Sequence, residues 1–121
     1  EEYILKTKIM NNAETIQFGV VMAASDEETI VDRTILARVG QDAMGVKGIK
    51  AIFVLGKIGV DTVGVSARSD GSVNVQLILE KIGGGGHFSS AAAQITNKKV
   101  AEVKTEIIKL VEIYQSEAKV D

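Results

Sequence analysis

The sequence predicts a single domain of the α/β (α+β) class, in which a mixed β-sheet of about five strands is flanked by helices. Its 121 residues fall within the usual size of one domain. Short apolar runs alternate along the chain with segments whose apolar residues recur at helical spacing. At least two of the strand-like runs are separated only by a turn, and a hairpin among helices favours a layered mixed sheet.

The composition excludes several kinds of catalytic site. The chain has no cysteine and a single histidine, His87, which excludes a disulfide scaffold, a thiolate zinc site and any centre that needs two imidazoles. Charged residues make up 25% and the formal net charge is −2, so bulk charge does not favour binding to a long polyanion. No apolar run reaches the length of a membrane span. The scarcity of catalytic groups and the start at Glu1 indicate a piece of a longer protein.

The first half of the chain is predicted to contain two strands and a helix. Tyr3–Met10 mixes isoleucine and leucine with lysine and threonine, which is typical of an edge strand with one solvent-facing side. Ile16–Ala24 is mostly apolar and is predicted to be one buried strand. Ser25 and Glu28 have the spacing of a capping box, so a helix is expected to begin there and to end at Gly45.

The second half is predicted to begin with a hairpin. Ile49–Leu55 is rich in β-branched residues, and Thr62–Ser69 alternates apolar with polar residues, so both are predicted strands. Gly56–Asp61 is expected to form the turn between them.

The final third is predicted to hold two helices and a strand. Apolar residues recur at helical spacing over residues 74–82, and the glycines that follow end this helix. Ala91–Thr96 is predicted as a strand after a helical turn, and Asn97 as the cap of a last helix with one apolar face. The expected order of elements is therefore β-β-α-β-β-α-β-α.

Four consecutive glycines, Gly83–Gly86, precede the histidine. Each glycine costs roughly 0.5–1 kcal/mol of backbone entropy relative to alanine, and one is enough to end a helix. A flexible surface turn is the simplest interpretation. The functional interpretation is a loop that leads into a helix N-terminus, where bare N–H groups approach an anion and His87 adds a donor or a positive charge.

Ser66 and Arg68 form a second candidate cluster, because alternate residues of a strand share one face. Arginine is suited to bidentate contact with phosphate. A surface salt bridge from Arg68 to Asp70 or Glu80 is the alternative interpretation. A phosphate held by Arg68 together with the glycines requires the end of the strand and the glycine run to converge, which the short helix over residues 74–82 allows.

At these residues the chain resembles the DHH-associated domain, first subtype, the C-terminal domain of DHH phosphoesterases. The resemblance rests on the glycines followed by His87, on Ser66-Ala67-Arg68-Ser69 and on a helix beginning near Asn74, and it covers nearly the whole chain. It implies a mixed sheet flanked by helices that binds the phosphates and nucleotide of a substrate. It also implies an upstream DHH domain that holds two manganese ions, with no metal bound by this domain itself.

The sequence after the histidine narrows the resemblance. Phe88-Ser89-Ser90-Ala91-Ala92 lacks the proline that many relatives have, with Ser90 in place of an alanine and Ala92 in place of a glycine. This version is most similar to the membrane-anchored cyclic di-AMP phosphodiesterases. The whole enzyme would then be a manganese-dependent hydrolase that opens cyclic di-AMP to the linear dinucleotide, and this chain alone is expected to be inactive.

The resemblance implies a set of substrate-binding residues and a cellular setting. The substrate contacts would be Arg68, Ser69, Gly84, Gly85, Gly86 and His87, together with Ser66 and Ser90. The domain would be cytoplasmic without touching the membrane, in a parent protein anchored in the cell membrane, and a homodimer is possible.

Four other functions compete with this interpretation. Within the family, the substrate could be a short oligonucleotide (nanoRNA) or the domain could belong to a RecJ-like exonuclease. A tRNA-binding module related to the C-terminal domain of alanyl-tRNA synthetase is disfavoured by His87 and by the net charge of −2. A plain interaction or oligomerisation domain, acting through its last helix, would make the glycines a simple turn.

Overall fold

The computed structural model describes residues 2–120, which form four helices and six strands. In chain order these are α1 (Glu2–Asn11), β1 (Glu14–Gln17), β2 (Val20–Ala24), α2 (Arg33–Ala43), β3 (Ala51–Gly59), β4 (Thr62–Ser69), α3 (Val75–Glu80), β5 (Gly85–His87), β6 (Ser90–Thr96) and α4 (Val100–Val120). The strands pair in the order β1-β2-β3-β4-β6-β5. Strands β2 and β3 are parallel and the other neighbours antiparallel, so the predicted mixed sheet of an α+β domain is confirmed, with one strand more than expected.

The sheet separates two apolar clusters, because successive side chains of a strand point to opposite faces. On one face α3 and α4 pack against residues such as Phe53 and Leu55, which are fully buried. On the other face α1 and α2 pack against Ile52 and Val54, also fully buried. The alternation predicted for Thr62–Ser69 is confirmed, with Val63, Val65 and Ala67 buried on the α3–α4 face.

The N-terminal segment is a helix, so the edge strand predicted over Tyr3–Met10 is wrong. Leu5 and Ile9 are four residues apart and therefore lie on the same side of a helix. Ile9 is fully buried in the cluster that contains α2, and Leu5 packs against it, while Tyr3 and Ile4 are exposed. In so short a segment, a pair of apolar residues at helical spacing among polar ones is also compatible with a half-buried strand.

Ile16–Ala24 is a hairpin and not the single strand that its apolar character predicts. Gln17 pairs with Val20, which leaves Phe18 and Gly19 as a two-residue turn. Both turn residues have positive φ, 42° and 81°, as a type I′ turn requires. Phenylalanine rarely adopts this conformation, and for that reason the turn was not predicted.

The capping box predicted at Ser25 and Glu28 is also wrong. Helix α2 begins at Arg33, and its N-cap is Asp32, whose side chain accepts a hydrogen bond from the Thr34 N–H at 2.9 Å. Ser25 is buried, and its N–H donates to the carbonyl of Leu55, which continues the pairing of β2 with β3. Residues 25–32 therefore form a connection, within which Asp32 caps α2 and Glu27 caps the start of α4.

Two further boundaries differ from the prediction. Strand β3 continues through most of the segment Gly56–Asp61, so the turn is confined to Val60 and Asp61. Asn97 has a φ of 62° and turns the chain before α4, so it does not cap that helix. The predicted start of a helix near Asn74 is confirmed, since the Asn74 side chain accepts from the Leu77 N–H at 3.0 Å as N-cap of α3.

Candidate functional site

Three of the predicted contact residues form one row across the sheet. Arg68 of β4 pairs with Ser90 of β6, and Ser90 pairs with His87 of β5. Residues that face each other in antiparallel strands project to the same side, and neighbouring strands lie about 4.8 Å apart. Arg68, Ser90 and His87 therefore stand side by side on the face that α2 partly covers. We refer to them as the Arg–Ser–His row.

The glycine run and the end of β4 converge, as a shared phosphate site requires. Two backbone hydrogen bonds fix the turn between β5 and β6: Ser69 N–H donates to the Ser89 carbonyl at 3.0 Å, and Val75 N–H donates to the Phe88 carbonyl at 2.9 Å. The run itself leads into β5, so the helix N-terminus expected after the glycines is absent. The bare backbone belongs instead to an edge strand.

Arg68 has no acidic partner among the residues that the structure describes. Its side chain is half-buried and passes close to Gly40 of α2. A Cβ built on Gly40 would lie 3.4 Å from the Arg68 Cγ. Neither predicted alternative partner is used: Asp70 accepts from Ser72, and Glu80 accepts from Gln76. The guanidinium charge is therefore free to bind an anion.

The Asp70 carboxylate is engaged in its own turn. The hydroxyl of Ser72 donates to it at 2.5 Å and the Ser72 N–H at 2.9 Å. These bonds hold the pKa of Asp70 below its ordinary value. The acid nearest in sequence to Arg68 is thus stabilised as an anion by a turn and not by the arginine.

The four glycines have different structural reasons to be glycine. Gly83 and Gly86 have positive φ, 88° and 146°. A Cβ at Gly84 would lie 2.5 Å from the Ala92 carbonyl oxygen, and one at Gly86 would lie 2.5 Å from that of Ser90. A Cβ at Gly85 would meet no atom within 4 Å. In the described fold, Gly85 is therefore the only one of the four glycines that could carry a Cβ without a clash or a strained φ.

The predicted serines lie in different surroundings. Ser66 pairs with Ala92, which pairs with Gly85, so this second row lies beside the Arg–Ser–His row on the same face. Ser69 is one residue further along and points to the other face. Its hydroxyl donates to the Val73 carbonyl at 2.7 Å and accepts from the Gly71 N–H at 3.1 Å. The roles of all these residues in binding stay predictions.

A cavity of about 280 Å³ lies beside this face, between α2 and the strands. Its walls include Leu36, Ala37 and Ile58, and Gly64 and Ala92 contribute to its floor. The cavity remains open toward β6, because Ala92 and Gln94 are exposed there while Ala91 and Ala93 are buried on the opposite face. Helix α2 therefore covers β3 and β4 but leaves a groove along β6. The sequence alone indicated neither this cavity nor Gln94.

Within residues 2–118, whose side chains the structure describes, no three His, Asp or Glu side chains come close enough to bind a metal ion together. In the same part of the chain, no helix combines the length and the apolar character that crossing a membrane requires.

The fold and the match to a family together define the class of this protein. The DHHA1 domain family matches residues 15–117, so the chain belongs to that family. It is 37% identical over 112 residues to the cyclic-di-AMP phosphodiesterase GdpP of Geobacillus thermodenitrificans, covering 93% of this chain and 17% of that protein. It is 32% identical over 109 residues to the cyclic-di-AMP phosphodiesterase PdeA of Listeria monocytogenes, covering 90% and 17%. The chain thus spans 17% of the length of either relative.

Solved structures share the fold at low sequence identity. An exopolyphosphatase-related protein from Bacteroides fragilis superposes with a TM-score of 0.79 at 13% identity, covering 98% of this chain and 36% of that one. A pGpG-specific phosphodiesterase, PggH from Vibrio cholerae, superposes with a TM-score of 0.65 at 16% identity, covering 93% and 39%. At these identities the likeness shows the fold alone.

Proposed function

We propose that this chain is the substrate-binding domain of a phosphodiesterase that hydrolyses cyclic di-AMP to the linear dinucleotide. Membership of the DHHA1 domain family, together with the two phosphodiesterase relatives, supports a role as one part of a phosphodiesterase. The substrate is taken from the two curated relatives, which are both cyclic-di-AMP phosphodiesterases.

The observation behind the proposal is the unpaired Arg68 next to Ser90 and His87. A phosphodiester carries one negative charge on two terminal oxygens, and a guanidinium can donate to both of them. The Ser90 hydroxyl and the His87 ring can each donate a further hydrogen bond from the same face. Together these groups bind the phosphate, orient it and offset its charge, which favours a transition state with more negative charge on phosphorus oxygens.

In this proposal, the groups that break the phosphodiester bond lie outside this chain. The described residues offer no set of ligands that fits a metal ion. Manganese would be held by an upstream DHH domain, and any membrane anchor would also lie outside this chain. The domain described here would then close the substrate against that upstream domain.

The test replaces Arg68 and His87 by alanine, one at a time, in the complete protein that contains this chain. Each change removes a charged or donating group from the substrate phosphate, so kcat/KM for cyclic di-AMP should fall about 10-fold or more. Hydrolysis is followed by chromatography of the products in the presence of manganese. Lys109→Ala, an exposed change on α4 and on the other side of the sheet, is the matched control and should leave kcat/KM unchanged.

Thermal unfolding of each variant separates a lost contact from a lost fold. The proposal is contradicted if Arg68→Ala and His87→Ala both keep the kcat/KM of the parent protein. Manganese-dependent hydrolysis by the 121-residue chain alone would overturn the assignment of the metal to another domain.

A further inference from the structure

The cavity beside α2 has the size of a site for one ring system, with a lining that is partly apolar and partly polar. Its volume of about 280 Å³ lies just below the range of about 300–1,000 Å³ that is typical of sites for larger small molecules. Leu36, Ala37 and Ile58 supply apolar walls, and Gly64 and Ala92 leave a floor without bulky side chains. Polar side chains also line the cavity, from α2 (Arg33 and Thr34) and from β4 (Ser66). Such a slot suits a planar ring that enters between a helix and a sheet.

Gln94 is the polar side chain that β6 contributes to this lining. It lies on β6, on the same face as Ser90 and Ala92, and it lines both this cavity and the adjoining one. Its side chain is exposed, and no described residue forms a hydrogen bond with its amide. The amide carries one acceptor and two donor hydrogens. It can therefore bind the edge of a ring held in the cavity.

The distance from Gln94 to the Arg–Ser–His row fits one nucleotide. Ser90 and Gln94 are four residues apart on one strand, which is about 13 Å at about 3.4 Å per residue. Arg68 pairs with Ser90 at one end of this interval, and Gln94 lies at the other end. A nucleotide extended from its phosphate to the far edge of its base can bridge such a span.

We propose that the cavity holds an adenine base of the dinucleotide and that Gln94 determines the preference for adenine. This inference rests on the proposed function, because it places the phosphate of the same nucleotide at the Arg–Ser–His row. A glutamine amide pairs with adenine through two hydrogen bonds: its oxygen accepts from the N6 amino group and its NH₂ donates to N7. Guanine presents two acceptors, O6 and N7, at the same edge, and arginine matches that pattern.

The experiment measures base preference in the complete protein that contains this chain. The kcat/KM for cyclic di-AMP is divided by that for cyclic di-GMP for the parent protein and for three variants. Gln94→Arg should lower this ratio about 10-fold or more, and Gln94→Ala should lower it to a smaller extent. Thr96→Arg adds the same charge on the same strand and face, just beyond the cavity lining, and should leave the ratio unchanged.

The outcomes separate this inference from the proposed function. If neither dinucleotide is hydrolysed by the parent protein, the proposed function fails and the inference falls with it. If cyclic di-AMP is hydrolysed and Gln94→Arg leaves the ratio at the parent value, only the assignment of Gln94 is overturned. A fall in the ratio that Thr96→Arg reproduces would overturn it as well, because added charge alone would then explain the change.

Discussion

Gly84 and Gly85 are neighbours with opposite structural requirements. A Cβ at Gly84 would lie 2.5 Å from the Ala92 carbonyl oxygen, whereas one at Gly85 would meet nothing. We expect Gly84→Ala to lower the free energy of unfolding by about 1–3 kcal/mol, since β5 must move away from β6. Gly85→Ala should leave it unchanged or raise it by about 0.4–1 kcal/mol, because alanine restricts the unfolded chain. Urea unfolding of the two variants measures the difference.

The same pair tests whether bare backbone at Gly85 serves the ligand. Gly85 pairs with Ala92 on the face of the proposed site, so its added methyl group would occupy space there. A stable Gly85→Ala variant that binds cyclic di-AMP less tightly would fit a role in binding. Equal loss of stability in the two variants would contradict the distinction between them.

The functional role of a single residue could be predicted where its residue type and its neighbours in sequence carry the signal. The glycine run, His87 and Arg68 stand out by residue type, and their convergence follows from a short helix between them. Which glycine is free depends on the backbone of β6, which no local pattern reveals. Gln94 is one polar residue in an alternating strand, and only the exposed cavity beside α2 distinguishes it.

At the scale of the elements, Glu27 links the connection before α2 to the start of α4. Its two carboxylate oxygens accept hydrogen bonds from the Val100 and Ala101 N–H groups, each at 3.0 Å. A carboxylate at a helix N-terminus satisfies free donors and interacts favourably with the helix dipole. We expect Glu27→Ala to lower the free energy of unfolding by about 1–2 kcal/mol, measured by urea unfolding.

Glu28→Ala is the matched control for this change. Glu28 is the next residue, it is exposed, and among the described residues its carboxylate accepts no hydrogen bond. It should therefore change stability much less than Glu27→Ala. Equal effects of the two variants would mean that net charge, and not the cap of α4, determines the result.

Elements were predicted correctly where one local signal dominated. Strand β4 and helix α3 have regular alternation or helical spacing together with a cap at Asn74. The N-terminal helix was missed because only Leu5, Ile9 and Met10 of its apolar residues pack against the protein, too few to give a clear helical period. The start of α2 was missed because Ser25 to Glu28 imitate a capping box, while the side chain of Glu27 caps a helix about 70 residues away.

At the scale of the whole molecule, the carboxylates of three aspartates in turns and at a helix cap make stability depend on pH. Hydrogen bonds from Thr29, Thr34 and Ser72 hold the pKa of Asp26, Asp32 and Asp70, respectively, below the ordinary value. The folded state therefore favours the charged carboxylates. Their contribution is complete above the ordinary pKa of about 3.9 and is lost as the pH falls through the lowered values. We expect Tm to change little between about pH 7 and pH 5 and to fall below about pH 4.

Replacing these three aspartates by asparagine tests the origin of that fall. Asparagine retains an oxygen that can accept the same hydrogen bonds, but it does not titrate in this range. The triple variant should lose part of the decrease in Tm below about pH 4 while it keeps its fold at pH 7. A decrease as steep as that of the parent chain would show that other carboxylates are responsible.

The hydrogen bonds from Ser69 and Val75 to the β5–β6 turn also bear on how the site forms. Arg68 and Ser90 are 22 residues apart in sequence, and His87 lies between them. Contacts over such short separations close small loops and require little closure entropy. One contiguous stretch, residues 62–96, thus assembles the whole row. If that stretch opens, the outer edge of the sheet and the Arg–Ser–His row are lost together. The edge strand and the binding site therefore form in the same folding step.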